Sequence, residues 1–188
     1  LAEVNQDTVE THMALGSLFR RRGEVDRAIR FHQNIIAKSG LEPAQRTQAL
    51  LELGEDYMRA GLLDRAELLF SELIESDAQT PSALRSLLDI YQQEKDWGKA
   101  LVQAERLEQV EGAHHGALIA QFCCELAEQA LAKDDRQLAR KHLRQARRHD
   151  PQSIRYLFIQ ARMAFAKSEL EAAMSAYEEI ADLDVDYL

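Results

Sequence analysis

An alanine recurs along this chain at near-constant spacing, and that recurrence limits the fold more than any other feature. Ala28, Ala66, Ala100, Ala139 and Ala173 stand 38, 34, 39 and 34 residues apart. Each is followed seven positions later by an apolar residue: Ile35, Leu73, Leu107, Ala146 and Ile180. Upstream of the first two alanines lie the pairs Leu15-Gly16 and Leu53-Gly54, which loosen to Leu87-Leu88, Leu126-Ala127 and Gln160-Ala161 in later copies. Three residues beyond each pair come Phe19, Tyr57, Tyr91, Ala130 and Ala164. Self-similarity at a period of roughly 20–50 residues marks a small unit copied and stacked, because one unit cannot bury its apolar face alone.

Counted from these anchors, the units begin at about residues 9, 47, 81, 120 and 154, and residues 1–8 read as the tail of a preceding one. Within each unit, apolar positions recur at helical spacing on two segments, so each unit is expected to be a pair of antiparallel helices. The breaks between the two helices are legible as Arg22-Gly23-Glu24, Ala60-Gly61-Leu62, Glu94-Lys95-Asp96, Lys133-Asp134-Asp135 and Lys167-Ser168-Glu169. The two longer intervals place insertions around Pro43–Arg46 and His115–Ile119, between units, where a loop or an extra helical turn is easily absorbed. The small residue on each helix lets the two backbones approach closely.

Composition supports helices and excludes several functions. Glycine (8) and proline (3) are scarce, so a sandwich or barrel with a turn every ten residues does not fit. A 46% apolar, 29% charged chain is a folded one rather than a disordered tail. The formal net charge of −9 argues against broad nucleic-acid binding, which needs a positive face. Two adjacent cysteines make neither a disulfide framework nor a four-ligand zinc site and fit a reducing compartment. The longest uncharged run, Gly112 to Cys124, is too short to cross a bilayer. Leu1 is not an initiator methionine, and the reading expects further repeats on both sides, with Asp184–Leu188 opening the next. Stacking of such ends would give a homodimer.

No glycine-rich phosphate loop, nucleophile elbow or paired-histidine zinc helix is present, so no catalysis is expected. Cys123-Cys124 with His114 and His115 comes nearest to a metal set. Neighbouring residues on a helix point about 100° apart, however, so the two thiols do not easily share an ion. Cys123 is expected to fill the core slot used by Leu50, Leu84 and Leu157, and Cys124 to face the groove. His12 and His32 read as packing residues. Arg140, Lys141, Arg144, Arg147 and Arg148, interleaved with His142 and His149, form the locally basic surface of an acidic chain. It reads either as a solvated outer face or as a docking patch for an acidic partner or membrane headgroups.

The alanine register, the 34-residue intervals and the unit-ending Asp150-Pro151 resemble the tetratricopeptide repeat over nearly the whole chain. The resemblance implies an all-α solenoid: a right-handed superhelix in which first helices line a concave, partner-binding groove. By that geometry the lining comprises Met13, Ser17, Arg20 and Arg21; Leu51, Glu55, Met58 and Arg59; Arg85, Asp89 and Gln92; Cys124, Glu128 and Leu131; and Arg155, Phe158, Arg162 and Phe165. Apolar anchors flanked by arginines suit a protein or peptide surface. The lysine–asparagine clamp of the chaperone-tail subclass is absent: its positions hold Met13, Ser17 and Arg21, or Leu51, Glu55 and Arg59.

Three segments go beyond the generic repeat: Gly23-Glu-Val-Asp-Arg-Ala-Ile-Arg30 with His32-Gln33; Asp56-Tyr-Met58 running into Ala60-Gly-Leu62 and Asp64-Arg-Ala-Glu67; and Phe122 with Cys124-Glu-Leu-Ala127 and Asp134-Asp135. Together they resemble the lipopolysaccharide assembly protein B family of Gram-negative bacteria. That resemblance implies a non-catalytic adaptor at the cytoplasmic face of the inner membrane, held there by a membrane helix outside these residues. It implies two protein partners, a sugar-lipid deacetylase and the membrane-bound ATP-dependent protease that degrades it. It also implies an iron or zinc rubredoxin-like domain outside this stretch, so the 188 residues themselves are expected to hold no cofactor. The alternatives are a generic repeat scaffold in envelope assembly or secretion, and the repeat region of a sugar transferase whose catalytic domain lies elsewhere.

Overall fold

The computed structural model describes residues 2–76 and 81–183, with side chains from Thr8 onward. Among the described residues the chain forms ten α-helices and no strand. They fall into two compact units, Leu1–Glu94 and Lys95–Leu188. Unit one holds α1 (Ala2–Arg21), α2 (Val25–Ile36), α3 (Pro43–Arg59), α4 (Leu63–Glu75) and α5 (Pro81–Gln93). Unit two holds α6 (Trp97–Glu111), α7 (Gly116–Ala132), α8 (Arg136–His149), α9 (Ile154–Phe165) and α10 (Leu170–Leu183).

Each expected break is a turn between helices, and each has its middle residue in the left-handed region: Gly23, Gly61, Lys95, Asp134 and Ser168, at φ of 82°, 74°, 58°, 56° and 62°. Four of the preceding helices end in the same double bond. After α1, Glu24 N donates to Phe19 O at 2.9 Å and Gly23 N to Arg20 O at 3.0 Å. Leu62 and Gly61, Asp135 and Asp134, and Glu169 and Ser168 repeat the pattern. This closure satisfies the last carbonyls of a helix while reversing the chain, and it requires a positive φ at one residue. Glycine adopts that φ freely; lysine and serine adopt it at a steric penalty.

The two insertions are taken up as extra first turns of helices. α3 starts at Pro43, where Glu42 N donates to Gln45 Oε1 at 3.3 Å in a capping box and the missing proline N–H is harmless. α7 starts at Gly116. Residues 2–8 are helical and run on without a break into the rest of α1: no glycine or proline interrupts them, and Val9 carries the helix into a cluster with Ile35 and Ala49. Asp184–Leu188, expected to open a next repeat, lie outside the described residues.

The recurrent alanines are where helices touch: Ala28, Ala66, Ala100 and Ala139 are fully buried and Ala173 nearly so. In unit one α1 packs on α2 and α3, and α3 on α4 and α5. In unit two α7 packs on α6, α8 and α9, and α9 on α10. First helices thus lie against first helices, with second helices behind them. A Cβ at Gly16 would overlap the His32 ring, and one at Gly54 the Phe70 ring, so these two glycines set the closeness of α1 to α2 and of α3 to α4. Trp97 stacks on Phe122 at 6.0 Å to join α6 to α7, and Gln145 Nε2 donates to Glu105 Oε1 at 3.1 Å to tie α8 to α6.

Candidate functional site

In unit one the first-helix face carries an open concavity of about 700 Å3. Arg20 and Arg21 from α1, Glu55, Met58 and Arg59 from α3, and Ser86, Asp89 and Gln93 from α5 line it. Helical spacing produces this grouping, since Glu55 and Arg59, and Ser86 and Asp89, lie one turn apart and share a side. Ser86 and Gln93 were missed in the sequence, where Gln92, half-buried here, stood for that turn of α5. Arg85 is exposed on the same helix.

Arg20 does not present its charge to this concavity as the sequence reading expects. Its Nη1 donates to Asp56 Oδ1 at 2.7 Å and to Glu52 O at 3.1 Å, and its Nη2 to Glu52 Oε2 at 2.9 Å and Glu55 Oε2 at 2.6 Å. Burial pulls the guanidinium pKa down, but the bonds to Asp56 and Glu52 outweigh it and the net shift is upward. Ser17 is likewise turned to protein: its one hydroxyl proton is shared between Glu52 Oε2 at 2.7 Å and Met13 O at 3.1 Å. For Glu52, burial raises the pKa and the bonds from Ser17 and Arg20 more than reverse it. Behind them Asp56 Oδ2 meets His32 Nδ1 at 2.5 Å, and both residues are fully buried. Met13 packs half-buried on the cluster of Val9, Ile35 and Ala49. Leu51, expected on the face, is buried in the core. What remains for a ligand in unit one is Arg21 and Arg59, both exposed, around Met58, with Glu55 and Asp89. Burial raises the pKa of both carboxyls, against the pull of Arg20 in the case of Glu55.

Unit two builds its face differently. Arg155 Nη2 lies 2.8 Å from Glu125 Oε1 and 2.8 Å from Glu128 Oε2, and Arg162 Nη1 lies 3.2 Å from Glu128 Oε1. Arg162 also sits over the Phe158 ring, 5.9 Å from its centroid, and Phe158 meets Tyr177 edge-on at 6.3 Å. A concavity of about 390 Å3 opens beside them, lined by Leu131, Arg162 and Phe165 together with Asp134, Arg136, Met163, Ala166, Lys167 and Tyr177. Phe165 is 65% exposed and shares this lining with Arg136, Arg162 and Lys167.

Cys124 is fully buried rather than on this face, because α9 packs over that side of α7. Burial, then Cys124 and Glu105, push the Cys123 thiol up to about 12; burial pushes Cys124 up to about 11 against the pull of Arg155. Both stay protonated thiols at neutral pH, poor as nucleophiles or metal ligands. His114 and His115 turn instead to Glu108 and Glu111, each at 2.9 Å. Among the described residues no three His, Cys, Asp or Glu side chains gather to hold a metal, and no helix is long and apolar enough to cross a membrane. His12 packs half-buried near Phe31. Arg140, Lys141, Arg144, Arg147 and Arg148 all lie exposed on α8.

The helix pairs, their shared turn and their register agree with what the sequence matches: the tetratricopeptide repeat family covers residues 51–114 and 124–185. The chain belongs to the tetratricopeptide repeat family. Among curated relatives it is 42% identical over 177 residues to Lipopolysaccharide assembly protein B of Escherichia coli (strain K12), which covers 94% of this chain and 46% of that protein. It is 33% identical over 178 residues to the Haemophilus influenzae protein of the same name, covering 95% of this chain and 45% of the relative. The chain therefore spans about half the length of the curated relatives it matches. Two solved structures share the fold at low identity. YrrB, described as a TPR protein with an unusual peptide-binding site, aligns at 15% identity with a TM-score of 0.60 over 98% of this chain and 91% of its own. MamA aligns at 17% identity with a TM-score of 0.61 over 97% and 96%. The chain is a helical repeat scaffold.

Proposed function

We propose that this chain is a non-catalytic adaptor that holds another protein on its first-helix faces and acts, as the name of its relatives suggests, in lipopolysaccharide assembly. The observation that carries the reading is the unit-two face. There Phe165 stands largely exposed at the edge of a concavity, with Arg136, Arg162 and Lys167 around it. An exposed aromatic that shares a concavity with cations offers a partner buried apolar area and charge-assisted hydrogen bonds at one place. The unit-one concavity, with Met58 between Arg21 and Arg59, is a second contact of the same kind. By resemblance the partners are the sugar-lipid deacetylase and the membrane-bound ATP-dependent protease, and the place of action is the cytoplasmic face of the inner membrane. The metal domain of that family forms no part of the contact proposed here.

The test is a binding titration of the chain against the deacetylase and, separately, against the cytoplasmic domain of the protease. Wild type is compared with Arg162→Ala/Phe165→Ala, an exposed pair whose truncation leaves the core untouched. Saturable binding weakened about tenfold or more by the double variant supports the reading, since such anchors each contribute about 1–2 kcal/mol at an interface. Absence of saturable binding to both proteins removes it.

A further inference from the structure

Helix α8 of unit two concentrates positive charge with no acid of its own to answer it. α8 carries Arg136, Arg140, Lys141, Arg144, Arg147 and Arg148 and no Asp or Glu along its length. Arg136, Arg140, Arg144 and Arg148 recur every four residues, a spacing that stacks them on one side of the helix, where like charges destabilise it. Helices α2, α4, α6 and α10 all mix carboxylates into their sequences. Arg136 has Asp134 at 3.4 Å, and Arg147 is engaged by the Tyr156 hydroxyl. Arg140 and Arg144 have no carboxylate partner among the described residues.

These two guanidiniums open into a cleft of about 250 Å3 between α8 and the α9–α10 hairpin. Lys167 supplies a third cation from the hairpin turn and Gln160 an amide from α9, over an apolar floor that includes Leu143 and Met163. Glu169, the single carboxylate in the lining, lies 3.6 Å from Lys167 and offsets it, so the cleft retains the charge of two arginines.

We propose that this cleft binds a phosphate monoester borne on a molecule with an apolar portion. Guanidinium forks match phosphate oxygens in paired hydrogen bonds. A monoester carries a charge of roughly −1.5 to −2 at neutral pH, which two uncompensated arginines balance, whereas a diester or carboxylate leaves one of them unanswered. The volume suits a headgroup rather than a helix or folded segment, and the floor receives the adjoining carbons. The cleft is formed by α8 and the α9–α10 hairpin, so the inference does not depend on the adaptor reading.

The experiment measures binding of the chain to inorganic phosphate by calorimetry. In parallel it measures sedimentation with phosphatidylcholine vesicles doped with phosphatidic acid, a monoester, or with phosphatidylglycerol, a diester. Arg140→Ala/Arg144→Ala is compared with Lys141→Ala/Arg148→Ala, which removes the same charge from α8 outside the cleft; thermal melting checks that both pairs fold. Saturable binding to phosphate, or to phosphatidic acid in preference to phosphatidylglycerol, is expected. The first pair is expected to weaken it about tenfold or more and the second pair only slightly, since only the first removes charge-assisted hydrogen bonds to the phosphate. Phosphate binding identifies a free ligand and vesicle binding alone a lipid headgroup; both uphold the site. No binding to either probe, equal loss in the two pairs, or equal binding of monoester and diester vesicles overturns it.

Discussion

Arg20 in unit one and Arg155 with Arg162 in unit two occupy first helices and read alike in sequence, yet the structure uses them for opposite purposes. Arg20 is one cation among three carboxylates, its side chain 15% exposed, and one of those carboxylates, Asp56, is wholly buried. Arg155 and Arg162 are two cations around Glu128, with Glu125 on Arg155, and their side chains are 44% and 53% exposed. The ratio of acids to bases and the depth of the pair decide the outcome. Unit one closes its arginine into a fastener between α1 and α3, while unit two leaves its arginines facing solvent.

The sharpest way to break this contrast is to truncate both kinds of arginine. Arg20→Ala leaves Asp56 buried and without its guanidinium, so urea unfolding should show a loss of about 3–5 kcal/mol. Arg162→Ala should lose no more than about 1 kcal/mol, as exposed pairs do. Equal losses would end the distinction. Gly54→Ala drives a methyl into the Phe70 ring, and the same measurement should show a loss of roughly 1–3 kcal/mol, locating rigidity in how closely α3 meets α4. Ser168→Gly relieves a left-handed serine in unit two and should raise stability by up to about 1 kcal/mol, read as a higher melting temperature. The smallest effect separates the fastener electrostatically. Glu52 is held below its ordinary value of 4.5, so its ionised form stabilises the fold above that pH and the contribution disappears as pH falls through the lowered value. The stability difference between wild type and Glu52→Gln should therefore be constant near neutrality and shrink below about pH 4.5.

Helix pairs, turns and buried alanines were legible because each copy repeats the same local requirement. A small residue at a helix crossing and a reversal after the first helix are properties of one unit, visible in any of the copies. The ion pairs were not legible, because they join different copies: Arg20 reaches Glu52, Glu55 and Asp56, more than thirty residues away. One signal was available. Asp56 occupies the register slot that Ile90 fills one copy later, and His32 the slot of Phe70; both slots are fully buried. Two polar residues in apolar slots of neighbouring helices must answer one another, and they do, at 2.5 Å. Cys124 and Leu51 were misplaced for a related reason. Register assigns a residue to a helix and an approximate side, but the width of the packed stripe depends on how closely the next first helix lies.

The uniform left-handed closure of the hairpins has a consequence for how such a protein can change length. A residue added within 22–24 or 60–62 would break the paired hydrogen bonds that end α1 or α3, whereas the additions ahead of α3 and α7 merely wound the following helix by another turn. Growth is therefore confined to the joints between successive helix pairs, in steps of about one helical turn. A tag, a cross-linking residue or a grafted loop belongs at the exposed Ser39–Gly40 or Ala113, ahead of α3 and α7, and not in the hairpins.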